Sequence, residues 1–579
     1  MKLIMASVLA LSASVAHAQD AADLVLKNAF VLTMDKENPE AQAVAVRGNQ
    51  IVYVGDVNGV ESFTGENTEV LDLTGKMVLP GYVSAHDHVL GSAWSTLGVD
   101  LNAAKDKEET LQMLRDYVAE NPDLPIVVGQ GYNATLMGGA PTAAELDEII
   151  PDKIAIIIDF TIHDAWLNTK ALEAGNITKD TPDPVPGVTY WIRDDDGNPL
   201  GVGKEGSWFP VYTKVAWDPE RMIEESREKL QPQVVAGGTT TALIPGVVTP
   251  NFTNAPGMFD DLEISMKVLE KALADGDLPV RTFVQPAYKD ATADPVEFAA
   301  RARAMADKYN GDLFRVHGIK LHPEGTWSAG AVLMLEPFEG TDNIGISAVK
   351  PDQMKEVVKA ANDQGLDVFA HVEGSGTVRG MIDAILASRD SGNADERNAL
   401  HHYQIVHPDD QQRMIDNSIP VNITPIFSVD WAGQDQDFLS MLGDTRTNER
   451  VSQYRPLADA GVSVSLAGDY PSAPMSTNSM LYQIYTAVTF KNPLDPANSK
   501  KFPNGAAPLD LMQAIEAVTI NPAWQLRMED KLGSLEVGKL ADIVILDRNI
   551  LELDNPEELL TTKVQATIMD GQFRHRDGL

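Results

Sequence analysis

The 579-residue chain has no cysteine. Disulfides and thiolate metal ligands are therefore excluded, and any metal site must be built from histidine, carboxylates or a modified lysine. Positive charge is also scarce: against 84 Asp and Glu stand 46 Lys and Arg, a formal net charge of -38. Nucleic acid and anionic membranes repel such a surface, so neither is expected as a partner, and the acid reads as solvation of an exported protein. The opening apolar stretch, Leu3 to Leu11, is too short to anchor the chain in a bilayer. Histidine is sparse, with 11 in the whole chain, so their placement carries weight.

What is present begins with an address. Lys2, the apolar stretch and Ala16-His17-Ala18 spell a secretory signal peptide over residues 1–18. The mature chain is expected to start at Gln19 and to be exported to a bacterial periplasm, with no membrane anchor after cleavage. Residues 22–80 alternate apolar and polar in short runs such as Phe30-Val-Leu-Thr-Met and Gln50-Ile-Val-Tyr-Val, an antiparallel β-unit. The same texture resumes in 533–547 and 564–571. Residues 19–80 and 530–579 are thus expected to make one small β-sandwich domain from both termini. Between them, apolar strands (240–244, 280–284, 316–320, 366–371, 419–423, 462–467) alternate with helical patterns (219–236, 259–274, 295–309, 351–364, 377–387, 409–417). This repetition predicts an α/β fold, a (β/α)8 TIM-like barrel over 81–529, with a subdomain inserted at about 92–218.

The stretch Leu79-Pro-Gly-Tyr-Val-Ser-Ala-His86-Asp87-His88 reads as a short buried strand ending at two histidines. At spacing two they share a face and can take one metal ion from one side; a pair of ordinary histidines is the plain alternative. Lys320, His371, the pair His401 and His402, and Asp469 also close apolar runs, and in a barrel the C-terminal strand ends carry the chemistry. Each alone is weak, since an Asp after a strand is more often a helix cap. As an ordered set they are hard to explain by packing. His322 and Glu324 read as supporting groups, His317 as core and His407 as a helix start.

This order resembles the amidohydrolase superfamily, and within it the YtcJ-like branch (amidohydrolase family 3), over essentially the whole mature chain. The resemblance is carried by Asp23-Leu-Val-Leu-Lys-Asn-Ala, Val78 to His88, Pro141-Thr-Ala-Ala-Glu-Leu-Asp, His163 to Leu172, Ile405-Val-His-Pro-Asp-Asp and Leu535-Glu-Val-Gly-Lys-Leu-Ala-Asp. The chain departs from the usual pattern in four places. Thr161-Ile162 replaces Asp-Gly, Val372-Glu-Gly-Ser-Gly follows His371 where a Gly-Asp pair is common, Leu400-His-His-Tyr-Gln replaces Ile-Glu-His-Ala-Gln, and Gly468-Asp-Tyr-Pro replaces Ser-Asp-x-Pro. The metal set survives, and the substrate-facing set is altered.

The resemblance implies His86, His88 and Asp469 on one metal ion, His371 and His402 on a second, and a carboxylated Lys320 bridging them. Two zinc ions are the default, with Mn, Fe or Co as alternatives. Asp469 would also take a proton from the attacking water, and His163 would contact substrate or the developing oxyanion. The implied activity is hydrolysis of a C–N bond in an amide or cyclic amide, or of an ester, by metal-activated hydroxide. An isomerase or lyase on the same scaffold is the runner-up; a non-catalytic periplasmic binding or regulatory protein is the alternative of another class. Trp94, Tyr132, Trp191, Trp208 and Phe209 point either to an apolar substrate group or to a subdomain core. The partner is a small-molecule substrate; its identity, and whether the chain forms a homo-oligomer, are left open.

Overall fold

The computed structural model describes residues 21–92, 97–327, 330–430, 434–471 and 478–579. The segment 1–18, Gln19 and Trp94 lie outside these residues. Among the described residues no helix is long and apolar enough to cross a membrane.

Both ends of the chain enter one eight-stranded sheet. In spatial order its strands are Gln572–Arg576, Val564–Met569, Ile543–Leu546, Met77–Pro80, Leu24–Leu32, Glu40–Arg47 and Gln50–Gly55, with Glu69–Asp72 also paired to Leu24–Leu32. Alternation sends Leu24, Leu26, Val44, Val46, Ile543 and Ile545 into one apolar layer. Val25, Ala43 and Ala45 meet Val60 and Phe63 on the other face. The N-terminal pattern suggested a purely antiparallel unit, and here the structure differs. Leu24–Leu32 pairs in parallel with Glu69–Asp72 and Met77–Pro80. The short helices Val57–Val60 and Glu61–Phe63 carry the chain back, so the next strand enters in the direction of the first.

A second sheet of six strands lies between residues 99 and 203, in the order Trp191–Arg193, Pro199–Gly203, Ala165–Leu167, Ile154–Asp159, Ile126–Tyr132, Val99–Asp100. Tyr132, Trp191, Trp208 and Phe209 are buried in apolar clusters of this region. Their burial fits the subdomain-core reading, and Trp208 Nε1 also donates to the His163 carbonyl at 3.1 Å.

The middle of the chain forms two all-parallel sheets. One has the order Phe314–Val316, Arg281–Val284, Thr239–Ile244, Tyr82–Ser84; the other runs Ala287–Tyr288, Ile319–Leu321, Val368–Val372, Ala399–His402, Val421–Ile423, Val464–Leu466. The expected strand over 316–320 is therefore two strands, one in each sheet. Gly318 makes the break: its φ is +70°, and a Cβ there would lie 2.4 Å from the Asp367 carbonyl oxygen. Val83, Leu243 and Phe283 from one sheet share a core cluster with Phe369 and Ala399 from the other. The remaining edges meet beyond their strands, where Asp469 N–H donates to the His86 carbonyl (3.1 Å) and His88 N–H to the Tyr470 carbonyl (2.7 Å).

Helices follow the strands, among them Ala255–Ala274, Pro295–Lys308, Pro351–Asn362, Ser375–Asp390 and Pro408–Asp416. Several start with Pro in the first turn, where its missing N–H costs nothing. The helical pattern over 219–236 is split into Pro219–Lys229 and Gln231–Ala236. Pro232 cannot donate to the preceding turn, so a new helix starts there.

Candidate metal centre

The strand Tyr82–Ser84 delivers His86 and His88 to its C-terminal end, and the loop after Val464–Leu466 delivers Asp469 opposite them. His86 Nε2 is 3.4 Å and His88 Nε2 is 3.0 Å from Asp469 Oδ1. Asp87 fastens the two loops together, its Oδ1 accepting the Tyr470 N–H at 2.9 Å. Asp469 itself sits at φ +56°. A left-handed backbone costs a non-glycine residue about 1–2 kcal/mol, here offset by its N–H bond to His86.

His402 arrives from the end of Ala399–His402 with φ +69°. Its Nδ1 lies 3.2 Å from Thr424 Oγ1, which leaves Nε2 for the centre. Ligand atoms of His86, His402 and Asp469 lie within 4.8 Å of one another, and all three residues are buried. The His371 ring is 4.6 Å from that of His402. Its Nε2 turns away, however, donating to the Gly325 carbonyl at 3.0 Å, and its ring stacks on His322 at 4.2 Å. Lys320 is 1% exposed, and its Nζ has no hydrogen-bond partner among the described residues. Burial pushes this amine down to about 7, with Asp469 and Glu373 opposing and Lys289 assisting. Burial likewise holds His86, His371, His401 and His402 well below the usual imidazole range. Neutral imidazoles, a carboxylate and an orphaned amine are donors a divalent ion can use.

Sequence reasoning placed His401 only as the neighbour of a ligand. In the structure its Nδ1 lies 2.7 Å from His86 Nδ1, which leaves His86 Nε2 for Asp469 and the centre. Glu324, expected only as a supporting group, has a specific task. It accepts from the N–H groups of Leu333, Glu373 and Gly374 and from the Thr377 hydroxyl, tying the loop after Lys320 to the strand that carries His371.

His163 comes from the second sheet's region and makes no direct contact with these ligands among the described residues. Its Nδ1 is 2.8 Å from Glu205 Oε2. Burial works to lower His163, but the charge and hydrogen bond of Glu205 override it and push the imidazole up to about 9. Burial would raise Glu205; His163 instead brings it down to about 2. The charge of His163 acts on His322 and His371, which brings this segment within electrostatic reach of the centre. Neither Glu205 nor Lys289, which follows the strand Ala287–Tyr288, carries a motif that would have singled it out.

The chain is similar to known proteins over most of its length. The N-substituted formamide deformylase of Arthrobacter pascens is 27% identical over 570 residues, covering 96% of this chain and 98% of that protein. The Bacillus subtilis (strain 168) protein YtcJ, assigned to the amidohydrolases, is 23% identical over 555 residues, covering 94% and 98%. A crystal structure of an uncharacterized metal-dependent hydrolase from Pyrococcus horikoshii OT3 shares the fold, with TM-score 0.68 at 21% identity over 92% of this chain and 98% of that one. The sequence profile of the amidohydrolase family matches residues 69–575. The chain belongs to the amidohydrolase family, in its YtcJ-like branch, and is a metal-dependent hydrolase acting on carbon–nitrogen bonds other than peptide bonds.

Proposed function

We propose that this chain is an exported hydrolase of an amide or cyclic amide, with N-substituted amides of small acyl groups as the first class to test. The observation that carries the reading is the convergence of His86, His402 and Asp469 beside the buried, unpartnered Nζ of Lys320. The name of the Arthrobacter pascens relative supports the substrate class. In this reading the two parallel sheets act as one (β/α)8 barrel, which the shared core cluster and the bonds between the His86 and Asp469 loops support. The eight-stranded sheet is a β-sandwich domain built from both termini, and residues 92–218 are an insertion that walls the site.

Two divalent ions fit the donor set, with zinc first because imidazole and carboxylate suit it. His86, His88 and Asp469 would hold one, His371 and His402 would hold the other once His371 Nε2 is freed from the Gly325 carbonyl, and a carboxylated Lys320 would add an anionic ligand. Bound ions supply Lewis-acid polarisation of the carbonyl and a water of lowered pKa. The protein's own work is proton transfer and positioning. Asp469 takes a proton from the attacking water and returns it to the leaving nitrogen. His401 holds His86 in one tautomer. His163, protonated beside Glu205, faces the oxygen on which charge develops.

The test starts with protein recovered from a periplasmic fraction, whose intact mass should begin at Gln19. Its metal content is then measured, with turnover of N-substituted formamides, N-acyl amines, cyclic amides and esters. Release of carboxylate and amine in equal amounts from the open-chain amides, or ring opening of the cyclic ones, lost in Asp469→Asn, is the expected result. An isomerised product without water incorporation would replace this reading with the isomerase one.

A further inference from the structure

Lys289 is a cation with no hydrogen bond or ion pair among the described residues. Most buried or half-buried cations of this acidic chain are paired, as Lys204 is to Asp164 and Arg281 to Asp542. The Lys289 Nζ lies instead over the Phe252 ring at 5.5 Å. The carboxylate whose charge acts on it is Glu205. Glu205 Oε2 is bonded to His163 while its buried Oε1 has no hydrogen-bond partner, so this one carboxylate faces the charge of two cations, His163 and Lys289. Phe252 in turn meets His322 edge to face at 5.5 Å, and His322 stacks on His371. Lys289 therefore stands a few ring-widths from the metal-binding residues, and its charge acts on Lys320, His322 and His371. Leaving a half-buried ammonium uncompensated is costly, and an anion delivered by a ligand removes the cost.

We propose that Lys289 anchors a carboxylate of the substrate, so that the site takes amides bearing one negative charge a few bonds from the scissile C–N bond. A single ammonium beside an aromatic ring suits a monoanion attached to an apolar body; a phosphate dianion calls for more than the one ammonium seen here among the described residues. The inference rests on the hydrolase reading of the centre and names its substrate class.

The experiment compares N-formylphenylalanine, as both enantiomers, with N-formylphenethylamine, which lacks the carboxylate alone. Wild type should favour one enantiomer of the acid in kcat/KM by about tenfold to a hundredfold, the range of a charge-assisted hydrogen bond. The preference should fall with added salt. In Lys289→Met the ratio should collapse toward one through KM, and Lys289→Arg should keep part of it. Binding of 3-phenylpropionate, followed by calorimetry at matched metal content, should weaken about tenfold in Lys289→Met, or about 1.4 kcal/mol. Turnover of both substrates with no preference in wild type overturns the anchor and leaves the hydrolase reading standing. No turnover of either, with 3-phenylpropionate binding still dependent on Lys289, supports the anchor and overturns the proposed class of small N-acyl amides.

Discussion

At Lys320 an amine is sealed from water with no hydrogen-bond partner among the described residues, and burial brings it down to about 7. A substantial neutral fraction near neutral pH is what carbamate formation from an amine requires. Two divalent ions held by imidazoles and one carboxylate would leave positive charge poorly compensated, and a carbamate supplies the missing anion. Lys320→Ala should lose one or both metals and about 100-fold or more of the activity, with short carboxylates in solution restoring part of both. Lys320→Arg should not rescue, because guanidinium stays cationic. Metal content read alongside turnover decides it: full occupancy and near-normal turnover in the alanine variant would make Lys320 an ordinary buried lysine. His401 belongs to the same scale. Where the family usually has Glu, an imidazole here occupies His86 Nδ1, and that contact spans 315 positions of sequence.

Among the elements, the sheet between residues 99 and 203 is tied by the His163–Glu205 pair, which joins the segment between Ile154–Asp159 and Ala165–Leu167 to the turn after Pro199–Gly203. His163 is raised above its ordinary 6.5, so its contribution to stability is complete below that pH and lost as pH climbs through about 9. Glu205 is depressed below its ordinary 4.5, so its contribution is present above that pH and lost on descent toward about 2. The pair should hold this element best between about 4.5 and 6.5 and release it above about 9. Hydrogen exchange in Ala165–Leu167 and Pro199–Gly203, corrected for intrinsic rate, should therefore speed up between pH 6 and pH 9.5. In Glu205→Gln that extra increase should vanish. An identical pH response in both proteins would mean that the pair does not hold the sheet.

For the whole molecule the joint between the terminal sheet and the parallel strands matters most. Arg281 Nη2 meets Asp542 Oδ1 at 3.1 Å, with side chains 0% and 4% exposed. The same Asp542 oxygen accepts the Asp570 N–H at 2.9 Å. One carboxylate thus fastens a strand of the four-stranded parallel sheet, the turn after Ile543–Leu546's partner strand and the loop ahead of Ile543. Asp542→Ala would strand a buried guanidinium, at a cost of about 3–5 kcal/mol. Urea unfolding reads this as a large fall in midpoint with an unchanged slope; a shift under about 1 kcal/mol would show that the two sheets hold together without the pair.

The sequence by itself determined which residue types could build the centre and where apolar faces lie. His86 and His88 at spacing two, donors closing apolar runs, and alternation at both termini are local patterns, and local periodicity follows from the geometry of strand and helix. Partnership was decided only by the tertiary structure. The strand break at Gly318 follows from the press of the Asp367 backbone, and the parallel entry of Glu69–Asp72 from a short helical return. The turn of His371 to the Gly325 carbonyl, the pairing of His163 with Glu205 and the seat of Lys289 over Phe252 depend on groups tens of positions away. No periodicity encodes such meetings, because packing chooses partners by shape and charge across space, while the sequence lists them only by order.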